Sequence, residues 1–138
     1  MAYDITVSDG NELTIAIKKA LEDYSEEVGQ GVRKAAEKTA REAVQKLKAT
    51  SPRSEEGDNA GSYASGWTSK KVRTAAKGDI VDITIHNKTK PGLTHLLEKG
   101  HALVNGERSP KFVHIKPVEE EAIKKFEERV KEVIRNGG

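Results

Sequence analysis

A chain of 138 residues has room for one domain with a hydrophobic core and too little for two ordinary ones. With 35% hydrophobic, 4% aromatic and 33% charged residues, it has the composition of amphipathic helices around a small core, not of a densely packed, deeply pocketed enzyme. The net charge of +2 is too small to argue for tight nucleic-acid binding, and the absence of cysteine excludes disulfides, thiolate nucleophiles and cysteine zinc knuckles.

In chain order, Tyr3 to Val7 alternate weakly and read as a short extended arm before the turn Ser8-Asp9-Gly10. Leu13, Ile17, Leu21, Tyr24, Val28 and Val32 then recur every three or four residues, and Ala36, Ala40, Val44 and Leu47 continue the series to Lys48. This spacing predicts one long amphipathic helix, capped by Asp9 or Asn11 and ended at Thr50-Ser51-Pro52, because the residue before a proline resists helical geometry. Gly29 and Gly31, each costing about 1 kcal/mol relative to alanine, mark where that helix breaks or kinks. Its Ala-rich half, with Ala36 and Ala40, suits packing against another helix or against the chain's own sheet. Residues 51–62, SPRSEEGDNAGS, carry no apolar side chain larger than alanine and read as a mobile loop.

A β-hairpin follows, with one strand from about Tyr63 to Ala75, a turn at Lys77-Gly78-Asp79 and a second strand from Ile80 to His86. In the second strand Val81, Ile83 and Ile85 point one way and Asp82, Thr84 and His86 the other, with Ile80 falling in the polar set. Leu93 to Lys99 reads as a short helix ended by Gly100 in a left-handed cap. Ala102 to Val104 and Phe112 to Ile115 read as a second pair of short strands around the polar turn Asn105 to Pro110. Pro117 opens a C-terminal helix with Glu119, Glu120 and Glu121 in its first turn and Lys131 and Arg135 near its end, matching the helix dipole. Its expected buried stripe is Ile123, Phe126, Val130, Val133 and Ile134. The order predicts a single α+β domain over residues 1–138: a long N-terminal amphipathic helix, a small antiparallel sheet with a β-hairpin, a short middle helix and a C-terminal helix.

Three of the four histidines, with Glu98, fall between Leu93 and Ile115. His95, Glu98 and His101 read H-x-x-E-x-x-H, but two histidines facing one metal on a helix stand four residues apart, and these are separated by six with Gly100 between them. His114 would have to supply a further ligand from a separate segment. The alternative is that His95, Glu98, Gly100, His101, His114 and Pro117 form a structural turn whose polar groups bond backbone amides or an arginine such as Arg108. No Gly-x-Ser-x-Gly elbow and no phosphate-binding glycine loop is present, so the expectation is a non-enzymatic protein without metal or cofactor. Tyr63, Trp67, Lys70, Lys71, Arg73 and Lys77 make a basic strand with aromatic neighbours, which would stack bases and track phosphates. Against that, Trp67 serves equally to plug the core while the lysines blunt an edge strand. No apolar run approaches the roughly 20 residues that span a bilayer, and MAYDITVSDGN lacks a signal-like basic start and apolar stretch, so a soluble protein made in the cytoplasm is expected.

Taken together, Ser51-Pro52, the G-x-x-x-x-G-W run from Gly61 to Trp67, Leu96-Leu97-Glu98-Lys99-Gly100-His101 and the segment Pro110 to Glu119 make the chain, from about residue 30 onward, resemble a phage tail-component family. Its type member is the tenth gene of the lambdoid phage HK ninety-seven. The sequence departs from the family's Pro-His-Ile-x-Pro-Ala pattern with Val113 before His114 and Val118 after Pro117. The resemblance implies a virion structural protein of the neck or tail top, a tail-completion or head-tail joining component. Such a component would be a homo-oligomer, a hexameric ring in the particle, that contacts connector, tail-terminator or tail-tube proteins and lets DNA pass through its lumen without sequence-specific binding. Tyr63, Trp67, Lys70, Lys71, Arg73, Ala36 and Ala40 are the candidate interface residues. A small nucleic-acid-binding module using the strand around Trp67 is the alternative, with a metal-dependent hydrolase behind it.

Overall fold

A computed structural model describes residues 4–8, 12–17, 21, 24–52, 61–73, 80–90, 93–100 and 102–137. Strands β1 (Asp4–Ser8), β2 (Glu12–Ala16), β3 (Trp67–Arg73) and β4 (Ile80–Asn87) form one antiparallel sheet in the order β1-β2-β4-β3. The helices are α1 (Glu26–Thr50), the single turn α2 (Ser62–Ser65), α3 (Leu93–Lys99) and α4 (Ile115–Asn136). The α+β class and the expected long helix, hairpin, middle helix and closing helix are all present.

The N-terminal segment differs from the sequence expectation. Leu13 and Ile17 belong to an extended segment rather than to the first turns of a helix, and of the expected arm residues 4–7 are not free but pair, with Ser8, against β2. Residues four apart satisfy a period of two as well as one of 3.6, so Leu13 and Ile17 fitted both; Ile15 between them decides, because all three are buried. Helix α1 begins instead at Ser25, whose Oγ accepts from the Val28 amide at 3.3 Å, with Glu26 and Glu27 in the first turn where the dipole favours them. Asp9 and Asn11 lie outside the described residues.

Helix α1 then runs unbroken through Gly29 and Gly31. The glycines serve packing rather than a kink. A Cβ on Gly31 would stand 2.5 Å from Cγ1 of Val133, so the missing side chain is what lets α4 approach α1. Small side chains at Ala35, Thr39 and Ala43 line the same side toward α4, and Arg129 of α4 closes the seam by donating to Thr39 Oγ1 at 3.0 Å and to Glu42 Oε2 at 2.9 Å. Ala36 and Ala40, expected as a candidate interface, are buried inside the molecule. One cluster holds Leu13, Ile15 and Ile17 from the β2 side, Ile83 and Ile85 from β4, and the inner faces of α1 and α4.

Strand β3 starts at Trp67, because Tyr63 to Ser65 lie in α2 rather than in a strand. At its far end Val72 faces Asp82 while Arg73 faces Ile80, leaving residue 81 unmatched. This β-bulge resets the alternation and returns Ile80 to the core, where it is buried, rather than to the polar face. The turn Lys77 to Asp79 lies outside the described residues. The expected strand pair after α3 is reduced to an isolated bridge, Ala102 with Arg108. Ile115 already belongs to α4, which begins two residues before Pro117. Helix α4 buries Ile115, Val118, Ala122, Phe126 and Val130; Ile123 and Ile134, expected inside, are more than a third exposed. An apolar stripe can be drawn through either set, and the contact with α1 selects the first. Of the expected loop 51–62, Ser51 is buried at the end of α1, Ser62 is helical, and residues 53–60 lie outside the described set.

Replacing Gly31 by alanine gains helix propensity but drives a methyl into a stiff β-branched neighbour. The expected net effect is a destabilisation of about 1–2 kcal/mol in chemical denaturation, with the double variant G31A/V133A more stable than G31A alone.

Candidate functional site

Tyr63, Trp67, Glu98 and His114 converge where α2, α3 and the start of α4 meet, and Glu98 organises the junction. Helix α4 has no side-chain cap of its own: His114 sits at the N-cap position without capping. Glu98, near the end of α3, fills that role from a distance. Its Oε1 accepts from the amides of His114 at 2.7 Å and Ile115 at 3.0 Å, and its Oε2 from Lys116 at 3.1 Å. A carboxylate on three helix N-terminal amides gains charge-assisted bonds and a favourable dipole interaction together.

His114 is buried directly beneath. Its Nδ1 is 2.6 Å from the Phe112 carbonyl and 2.9 Å from Glu98 Oε1, both acceptors, so Nδ1 carries a proton. Its Nε2 meets the Tyr63 hydroxyl at 2.7 Å, and that hydroxyl is 3.3 Å from Thr94 Oγ1. The rings of Tyr63, Trp67 and His114 stand edge to face, with centroids 5.7–6.3 Å apart. Trp67 donates from Nε1 to Ser51 Oγ at 2.8 Å, which ties the end of α1 to the start of β3.

The glycines of the quoted motifs have physical reasons. Gly61 adopts φ +74° ahead of α2. At Gly66 a methyl would overlap the Thr89 hydroxyl and crowd Asn87 Oδ1. Asn87, buried and absent from the sequence expectations, donates to the Tyr63 carbonyl at 2.6 Å and accepts from the Lys90 amide at 2.9 Å, locking α2 to the end of β4. Gly100 takes φ +73°, and a Cβ there would lie 2.7 Å from the Ser109 carbonyl. The loop returning to α4 is held by Phe112 N donating to the Leu97 carbonyl at 2.7 Å and by Arg108 donating to the Gly100 carbonyl at 3.2 Å. Arg108 therefore bonds backbone and not Glu98.

Of the six residues read as a structural turn, Glu98, Gly100 and His114 are at the junction and Pro117 lies exposed in the first turn of α4. The His95 side chain and all of His101 lie outside the described residues. Both ring nitrogens of His114 are engaged within the fold, and among the described residues no group of three His, Asp or Glu is placed to hold a metal ion. The arrangement does structural work: three segments far apart in sequence are fastened through one carboxylate and one imidazole. The interface expectation divides. Tyr63 and Trp67 are 6% and 1% exposed, so neither ring offers a face for a base to stack on, whereas Lys70, Lys71 and Arg73 are exposed along β3.

A family model described as "Bacteriophage HK97-gp10, putative tail-component" matches residues 15–100, more than half of the chain. The chain belongs to this HK97-gp10-like family of phage tail components. The matched residues run from β2 through α1, the Gly61 to Trp67 run and the β3–β4 hairpin to Gly100; the quoted segment Pro110 to Glu119 and the rest of α4 lie beyond them. The Glu98–His114 contact thus joins the family-matched part to the C-terminal helix. A virion location follows from the family, and no helix among the described residues is long and apolar enough to cross a membrane. No curated protein and no solved structure matches the chain.

Replacing Glu98 by alanine leaves three amides without their acceptor and is expected to destabilise the fold by about 2–3 kcal/mol, read by urea denaturation, with E98Q recovering part of the loss. Tyr63 provides a pH test. Burial pushes its pKa from 10.0 to about 12, with the Thr94 hydrogen bond opposing the shift and the Glu98 charge adding to it. The unfolded chain therefore releases this proton first, so the Tyr63 contribution is complete below pH 10 and is lost as pH rises toward 12. The loss is on the order of 2–3 kcal/mol at most, and Y63F should flatten the fall in stability over that window.

Proposed function

We propose that this tail component is a tail-completion or head-tail joining protein of the neck or tail top, working as a homo-oligomeric closed ring through protein contacts. The observation that carries the reading is the family match over residues 15–100. Two features of the fold support it. The first is a ready contact surface: Leu103, Val104, Phe112 and Val113, all in the α3–α4 connection, are exposed apolar side chains, and Val104 is 109% exposed. The second is how that connection is held. Its base is pinned by Glu98, His114 and Arg108, so it presents these side chains from an anchored frame, as head-to-tail contacts between identical subunits require. Strand β3 is a sheet edge carrying Lys70, Lys71 and Arg73, a pattern that discourages indiscriminate strand addition and leaves the connection as the specific contact. A hexamer is the ring size we favour, with connector, tail-terminator or tail-tube proteins as neighbours.

Deleting the gene from the phage or prophage that carries it should yield filled heads and separate tails in electron micrographs, with joining restored by the wild-type chain. The purified chain should self-associate weakly by light scattering and appear as rings in particles. Normally joined, infectious particles lacking the chain, or a chain that is strictly monomeric inside intact virions, would rule the reading out.

A further inference from the structure

The exposed face of α1 carries a charge pattern that the contacts proposed for the ring do not use. Gln30, Lys34, Lys38, Arg41, Gln45 and Lys48 are all exposed and recur at intervals of three and four, so they line one side of the helix. At about 1.5 Å per residue the stripe from Lys34 to Lys48 is about 21 Å long. Glu37, half-buried, borders the stripe, exposed Glu27 stands on the same side one turn before Gln30, and Glu132 of α4 shares the groove beside Lys34 and Lys38. Glu42 is turned away into the seam with Arg129. Lys34, Lys38 and Arg41 form no ion pair among the described residues. Helix α4 is the internal contrast. Its outer face mixes Lys116, Glu120, Lys124, Glu128, Lys131 and Glu132 and is laced by the pairs Lys125–Glu121 and Lys131–Glu127, as an ordinary solvated helix face is.

Strand β3 extends this basic region. By register Lys71 and Arg73 share the face of Ile83 and Ile80, which looks toward α1, yet both are exposed because the helix layer does not reach over them. Arg33 of α1 donates to the Ile80 carbonyl at 3.4 Å, directly opposite Arg73, which sets the two basic elements side by side.

We propose that the α1 stripe, with Lys71 and Arg73 beside it, is a contact surface for the phosphate backbone of double-stranded DNA. The charge sign and spacing suit a polyanion, and the composition favours nucleic acid over an acidic protein. Protein interfaces are depleted in lysine and anchored by apolar or aromatic side chains, and this stripe has neither property. Nothing on it presents a base-reading pattern, so the contact is sequence-independent and strongly salt-dependent. The proposal stands apart from the ring reading, since it concerns what the subunit touches with a face not used for the contacts suggested above.

The test is fluorescence anisotropy of the full chain with a labelled random-sequence duplex, across a salt titration, in competition with polyglutamate. Wild type should bind with micromolar or weaker affinity and a negative salt slope. The variant K34Q/K38Q/R41Q should lose on the order of tenfold at low salt and flatten the slope by about 0.9 per cation removed, while keeping the wild-type circular dichroism and melting temperature. The charge-matched control K111Q/K116Q/K124Q, on exposed lysines outside the stripe, should bind as wild type. Absence of duplex binding at low salt, equal losses in the two triple variants, or polyglutamate displacing DNA at equal charge concentration would each overturn the proposal, the last in favour of an acidic protein partner.

Discussion

The carboxylate of Glu98 is the contact on which the second half of the molecule depends. Helix α4 begins with no cap of its own, and three of its leading amides find their acceptor on α3 instead. Because those amides are the point where the α3–α4 connection turns back into the fold, the same carboxylate fixes both the start of the helix and the exit of the connection. His114 makes the arrangement two-sided. Its Nδ1 faces Glu98 and the Phe112 carbonyl, and its Nε2 reaches Tyr63, so α2, α3 and α4 meet through one ring. Buried polar groups are costly unless bonded, and here each satisfies another.

The α1–α4 seam is the other half of the same logic. The C-terminal helix lies beyond the family-matched residues, but its packing is written into them: Gly31, Ala35, Thr39 and Glu42 of α1 form the surface that receives Val133 and Arg129. Small residues set the distance and one guanidinium sets the register. With α4 held by Glu98 at one end and by Gly31 at the other, the exposed apolar side chains of residues 103–113 are carried on a frame fixed at both sides, a suitable basis for contacts in an assembly.

The sequence made several features readable because their signals are local. Helix α3 with its left-handed Gly100, the β3–β4 hairpin, the end of α1 before Pro52 and the existence of the closing helix all follow from spacing, glycine and proline. The choice of faces was less readable. Leu13 and Ile17 fit two periods at once, and Ile80 changed sides because of a bulge. Ile123 and Ile134 yielded their expected places to Ile115, Val118 and Ala122, because α1 contacts α4 along that line. Asn87, Thr39, Glu42 and Arg129 gave no local signal, since each acts on a partner dozens of residues away.

Hydrophobic periodicity, turn chemistry and the short glycine-containing motifs determined by themselves that this is an α+β protein resembling the phage tail components, because those properties act over a few residues and survive in any context. Tertiary structure alone decided which residues are available to partners. Tyr63, Trp67, Ala36 and Ala40 were candidates for an interface in sequence and are interior in the fold, whereas the α1 stripe from Gln30 to Lys48 is exposed only because the opposite face of that helix is taken by the sheet and by α4. Exposure is a property of what packs against a side chain, and that is set by long-range contacts no local pattern encodes.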